Sequence, residues 1–271
     1  MPPILYWPLW LSSLTFYAVF AGVALALSLA ASAWVRRSPG RQSAVGGLVG
    51  TIGSPMMAGF LFWMGLMAAI ELRDVDDAER AVRAEVSAIH ALHTLGASAA
   101  PATAAAWSAQ LAAYGHQVLT REWPTMSWDG ADAATGRQLA RLRIDALQRF
   151  GAESPELRGA LDRGVQALSA ARDTRLIVAS GHIPVLLWRA MLICALIVLA
   201  FAALAHANQA RASRWMTLLL GLFIGVQVHA VYVIDRPFEG AIAISDAPLR
   251  AAVQRVQADR AAPAMQPGAG R

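Results

Sequence analysis

The sequence predicts an all-α, polytopic membrane protein: four transmembrane helices, with a soluble helical bundle inserted between helices two and three. Three observations predict it. Of 271 residues, 56% are hydrophobic and only 15% charged, with a mean hydropathy of +0.44, whereas soluble domains carry about 25% charged residues. Charge is also segregated. No acid precedes Glu71, and only Arg36, Arg37 and Arg41 are charged before it, yet fourteen acids between Glu71 and Asp173 meet twelve arginines between Arg73 and Arg175. That near-balance is typical of a solvated surface. Finally, the uncharged stretches are long enough to cross a bilayer.

Residues 14–35 form the first stretch, 22 residues without a charge, enough for roughly 30 Å of hydrocarbon at 1.5 Å per residue. Ala31-Ser32-Ala33 imitates a signal-peptide cleavage site. The segment before it has no positive residue and the apolar run is too long for a leader, so it is expected to stay as a span. Residues 44–70 form the second span, with a bend expected at Gly53-Ser54-Pro55, and 185–205 and 215–234 form the third and fourth. Trp7, Trp10, Trp188 and Trp215 fall near span ends, where amphipathic rings meet the headgroups. Gly46 and Gly50, and Gly221 and Gly225, are small-xxx-small pairs that permit close helix approach.

Loop arginines set the orientation. Arg36, Arg37 and Arg41 follow span one, and Arg211 and Arg214 precede span four. Both links should be cytoplasmic. In an inner (plasma) membrane this leaves both termini and the insert on the outer side. The expected organisation is residues 1–70 for the first two spans, 71–182 for the insert and 183–235 for the last two spans. Residues 236–271 should hold a turn motif and a disordered C-terminal tail, the tail over Arg260–Arg271.

Within the insert, apolar residues recur at helical spacing. The first helix should extend span two outward, with Val75, Val82, Ile89 and Leu92 on one stripe. Trp107, Leu111, Tyr114 and Val118 mark the second helix, and Leu139, Leu142, Leu147 and Phe150 the third. The fourth opens at Ser154-Pro155-Glu156, a cap, a proline in the first turn and an acid at the positive dipole end. Leu157, Leu161, Val165, Leu168 and Leu176 then lead toward span three. Connections are expected at 96–103, 124–136 and 151–154.

The pI near 10.3 does not imply nucleic acid, since the basic excess lies outside the soluble segment and no aromatic-interleaved basic face exists. Cys194 is the only cysteine, which excludes an intrachain disulfide or a cysteine-based zinc site. Walker, G-x-S-x-G, G-x-G-x-x-G and H-E-x-x-H signatures are missing, so an enzyme is not expected, nor a cofactor. His90 and His93 share a helix face and His116 lies further on, but nothing fixes a zinc geometry among them, and no metal is expected.

The order of anchors resembles the bestrophin-like family of bacterial and plant membrane proteins. Along the chain these are Glu85-Val86-Ser87-Ala88-Ile89, Tyr114 followed by Glu122-Trp123-Pro124, Arg172 with Arg175, and Ile183-Pro184 with Trp188. Asp235-Arg236-Pro237-Phe238-Glu239-Gly240 closes the series. Ser87 departs from the family, which usually has Asn there. The resemblance implies a four-span helical fold, a homo-oligomer in the lipid bilayer and, by analogy with pentameric anion channels, passage of small inorganic ions. The acidic calcium clasp of true bestrophins is not found; the stretch from Glu71 to Glu79 comes nearest.

Candidate site residues have two readings each. Glu71, Asp74 and Asp77, with Asp76 and Glu79, would form a cation-concentrating ring if subunits surround an axis, or else a solvated, arginine-paired helix exit. Gln227 and His229 lie within span four. Polar groups at that depth serve an ion path, a gate or a proton sensor, or make an interhelical hydrogen bond. Arg189 either snorkels to the interface or lines an anion path. Glu122, Arg172 and Arg175 read as a charge lock inside the insert, with Trp123 packed and Pro124 ending a helix. Asp235 to Gly240 reads as a turn, in which Phe238 returns to the membrane surface and Asp235 and Arg236 bond to the insert. The sequence therefore favours an oligomeric channel, with a non-conducting scaffold or sensor as the alternative.

Overall fold

The computed structural model describes residues 9–37, 42–150, 154–181, 183–205, 207, 212–239 and 243–261. Trp7, Arg41, Arg211 and Gly240 lie outside them, and of Gly46 and Gly50 only the helical backbone is described. The helices are α1 (Leu9–Arg36), α2 (Gln42–Ala97), α3 (Pro101–Gln117), α4 (Met126–Asp129), α5 (Ala133–Arg149), α6 (Pro155–Ser180), α7 (Val185–Ala205), α8 (Ala212–Ile234) and α9 (Ala247–Ala261). No strand occurs among the described residues. The chain divides into two compact units, Met1–Arg73 with His182–Ala243, and Asp74–Gly181 with Ile244–Arg271.

The first unit holds four helices long and apolar enough to cross a membrane. Its core gathers Ala24 of α1, Phe60 and Met64 of α2, Ala195 and Leu199 of α7, and Ile224 and Val228 of α8. Glycine allows α1 and α8 to touch. A Cβ on Gly221 would lie 2.8 Å from the Phe20 carbonyl oxygen and 2.6 Å from the Ala24 Cβ, and one on Gly225 would lie 3.1 Å from the Phe20 Cβ. The second predicted small-residue pair thus marks a helix crossing. Outward faces carry Phe62, Leu186 and Trp215, all strongly exposed, as lipid contact requires. Pro55 lies inside α2; the bend predicted there does not end the helix.

The second unit is a helical bundle. Ile89 and Leu92 of α2 pack with Trp107 and Leu111 of α3, Leu142 and Ala146 of α5, Leu161 and Leu168 of α6, and Leu249 and Val256 of α9. Trp107 donates its Nε1 hydrogen to the Leu92 carbonyl at 2.9 Å and meets Phe150 edge-on. Ser154 caps α6 as predicted, its hydroxyl accepting from the Leu157 amide.

Three expectations are corrected. Leu147 is exposed and Ala146 takes its place in the core, because spacings of three, four and four from Leu139 keep one face whereas a step of five leaves it. The connection at 124–136 contains α4 and the start of α5. The stripe of α6 does not run into span three. Its helix ends at Ser180, Gly181 is extended (φ −69°, ψ 127°) and Pro184 precedes α7, since a residue before proline disfavours helix. Between the turn motif and the expected tail, residues 247–261 form α9, which no motif announced; residues 262–271, most of that tail, lie outside the described residues. Leu249, Ala252, Val253 and Val256 bury one face of α9, a stripe so small and alanine-rich that its periodicity is faint in the sequence.

Candidate functional site

The helical unit encloses a charge cluster built by α2, α6 and the segment after α3. Glu85 sits on α2 and Arg172 and Arg175 on α6, three residues apart and so on one face. Glu122 ends a π-helical turn, Val118–Glu122, that continues α3. The extra residue in such a turn re-aims the following side chains, and π-bulges favour functional sites. The Trp123 amide donates to the Val118 carbonyl at 2.8 Å, and Pro124, which has no amide hydrogen, ends the run.

Arg175 is wholly buried and joins both acids. Its Nε donates to Glu85 Oε2 and its Nη2 to Glu122 Oε1, each at 2.7 Å. Nη1 donates to the Met126 sulfur at 2.8 Å, and the guanidinium lies 5.6 Å from the Trp123 ring centre. Arg172 grips Glu122 from the other side through Nε at 3.1 Å and through Nη2. Tyr114 donates its hydroxyl to Glu85 Oε1 at 2.6 Å. The Asp132 amide donates to Glu122 Oε2 at 3.2 Å, while Asp132 caps α5 by accepting from the Thr135 amide at 2.7 Å.

Two carboxylates and two guanidiniums make the cluster neutral, as burial demands. Burial would lower the Arg175 pKa, but the Glu85 and Glu122 charges outweigh it and raise the value. Burial, then the Glu85 charge, pushes the Tyr114 phenol well above its usual range. The Thr135 hydrogen bonds hold Asp132 below the usual carboxylate range. Glu85, Tyr114, Glu122, Trp123, Arg172 and Arg175 thus converge, whereas their sequence separations reach 90 residues. Met126 and the Asp132 backbone complete the cluster without having been singled out; only the helix-capping pattern at Asp132 could have flagged it.

Several of the remaining candidates have local partners of their own. His229 is buried at the α1–α8 contact, its Nε2 3.2 Å from the Ser12 hydroxyl and its ring 5.2 Å from Phe16. Gln227 is half-buried and Arg189 exposed. Glu71 is buried, while Asp74 is exposed and Asp77 pairs with Arg80 at 2.9 Å. Asp235 Oδ1 accepts from the Ile183 amide at 2.7 Å, next to Pro184. This bond joins the end of span four to the start of span three. Arg236 pairs with Glu239 at 3.1 Å across the turn holding Pro237, and Phe238 is buried. His93 faces Asp259 of α9 at 3.1 Å and Ser108 at 3.4 Å. No metal-binding group of histidine, cysteine and acids occurs among the described residues.

A family model for the bestrophin-like domain matches residues 18–249. The chain belongs to the bestrophin-like family. Among solved structures, bestrophin-like architecture recurs in a singly substituted bacterial bestrophin homologue from Klebsiella pneumoniae. It superposes with a TM-score of 0.65 at 13% identity, covering 91% of this chain and 99% of the other. Another substituted form gives 0.70 at 12% identity, covering 92% and 99%. At such identity the likeness is one of fold. None of the curated proteins compared with this bestrophin-like chain matches it.

Proposed function

We propose that this protein is the subunit of an oligomeric ion channel, or channel-like permeation protein, that conducts small anions across the inner membrane. The observation that carries this reading is the fold likeness to a bacterial bestrophin homologue, which extends over 92% of the chain and so includes the helical unit as well as the spans. Gln227 and the exposed Arg189 are the polar side chains of α8 and α7 open to such a path. His229 acts from inside the α1–α8 contact, and Glu71, Asp74 and Asp77 tune charge at the exit of span two. The loops after span one and before span four lie on the cytoplasmic side. Purified protein in liposomes should pass chloride in a dye-quench assay across several pH values, with cation flux as the comparison. Absence of both fluxes overturns the proposal.

A second reading, a non-conducting scaffold or sensor, draws on a specific feature. The helical unit has a cleft of about 480 Å³ between α5 and α6, large enough for a small ligand.

A further inference from the structure

That cleft has a built interior. Leu139 and Val165 are buried in its wall, with Ala140 beside them, so part of the lining is apolar. Arg172 also lines it, its side chain 8% exposed. The Nε and Nη2 of this guanidinium are committed to Glu122 and, through Nη2, to the Asp132 carbonyl. Its Nη1 donates to no described residue. A Cβ on Gly136 would lie 4.0 Å from both terminal nitrogens, so the missing side chain there leaves that edge of the guanidinium uncovered.

Charge balance narrows the ligand. Arg143, also at the cleft, is held by Asp162 at 3.1 Å, and Arg172 is held by Glu122. Each arginine is therefore already neutralised, and the exposed Asp173 adds a negative charge at the rim. A simple anion gains little in that field. A molecule carrying both signs fits it. Its carboxylate accepts from Arg172 Nη1 in a charge-assisted bond, its ammonium sits toward Asp173, and its apolar body covers Leu139, Ala140 and Val165. We propose that the α5–α6 cleft binds a small amino-acid-like zwitterion with an apolar side chain. Arg172 then has two duties, closing the charge cluster with two nitrogens and presenting the third to the ligand.

The test is calorimetric titration of the full-length protein in nanodiscs with L-phenylalanine, 3-phenylpropionate and 2-phenylethylamine. The amino acid should bind, and each fragment, lacking one charged group, should bind at least about ten-fold more weakly. Gly136→Leu and Ser169→Leu should each abolish the heat of binding by filling the cleft, with helical circular dichroism unchanged. Both leave every bond of the charge cluster intact, and the first improves the helix propensity of α5. No heat with L-phenylalanine, equal binding of either fragment, or undiminished binding by both filled variants overturns the proposal. Because heat is read without flux, its failure is distinct from failure of the channel reading.

Discussion

Replacing Arg175 by methionine tests the charge cluster most directly. The side chain is fully buried and serves Glu85 and Glu122 at 2.7 Å each. Removing it takes the cluster from neutral to one uncompensated negative charge, because Arg172 and Tyr114 cannot replace the lost contacts. Breaking one partner of a buried ion pair costs about 3–5 kcal/mol. Tyr114→Phe removes only one hydrogen bond to a carboxylate that keeps Arg175, so it should cost about 1.5 kcal/mol, the low end for bonds to charged groups. Adding Glu85→Gln to Arg175→Met restores neutrality and should recover at least about 1 kcal/mol. The assay is guanidinium chloride unfolding of the full-length protein in detergent, followed by far-ultraviolet circular dichroism. The reasoning is refuted if Arg175→Met costs less than Tyr114→Phe, or if the double variant is less stable than the single one.

The same cluster has an alkaline signature. The Tyr114 pKa in the folded protein is raised above 10.0. Its stabilisation is therefore complete below pH 10 and is lost as pH rises through the folded value, since the unfolded chain loses the phenol proton first. Wild type should lose stability above pH 10 more steeply than Tyr114→Phe.

Three further outcomes are expected. Gly221→Ala should destabilise the protein by about 1–3 kcal/mol, because its Cβ meets the Phe20 backbone, whereas Gly22→Ala, with nothing within 4 Å, should be neutral or stabilising in thermal melts. Asp235→Ala should cost about 1–3 kcal/mol by leaving the buried Ile183 amide without its 2.7 Å acceptor, read as a lower melting temperature. Asp132→Ala should cost about 1 kcal/mol by uncapping α5. The depressed Asp132 pKa makes that contribution present above pH 3.8 and lost as pH falls through the folded value, so wild type and variant should converge in acid.

The spans were legible because lipid imposes one strict demand, some twenty predominantly apolar residues, and the expected third span, 185–205, coincides with α7 at both ends, with Arg189 its one charge. Capping chemistry is equally local, which is why Ser154-Pro155 could be read. Convergence is not local. Glu85 and Arg175 are 90 residues apart and Ser12 and His229 are 217 apart, so no spacing rule pairs them; Glu122, Arg172 and Arg175 could be read as a lock, but nothing tied Glu85 and Tyr114 to it. Met126 was invisible because a thioether in an irregular stretch looks like filler until a guanidinium points at it. The helix α9 escaped because alanine fills part of its buried face.

The cluster's composition argues that it does more than hold helices together. A buried ion network is often no more stabilising than apolar residues of the same volume, so stability alone gives little reason for two acids and two arginines there. An inert lock would also use all its donors. Arg175 does so, spending its three nitrogens on Glu85, Glu122 and Met126. Arg172 does not: two nitrogens close the cluster and the third faces the α5–α6 cleft under Gly136. A ligand on that nitrogen competes for the same guanidinium that grips Glu122 and, through Nη2, the start of α5. With the cleft occupied as proposed, Glu122 at the end of the π-helical turn would be the first group to register the ligand, and Arg175 ties Glu122 to Glu85 on α2.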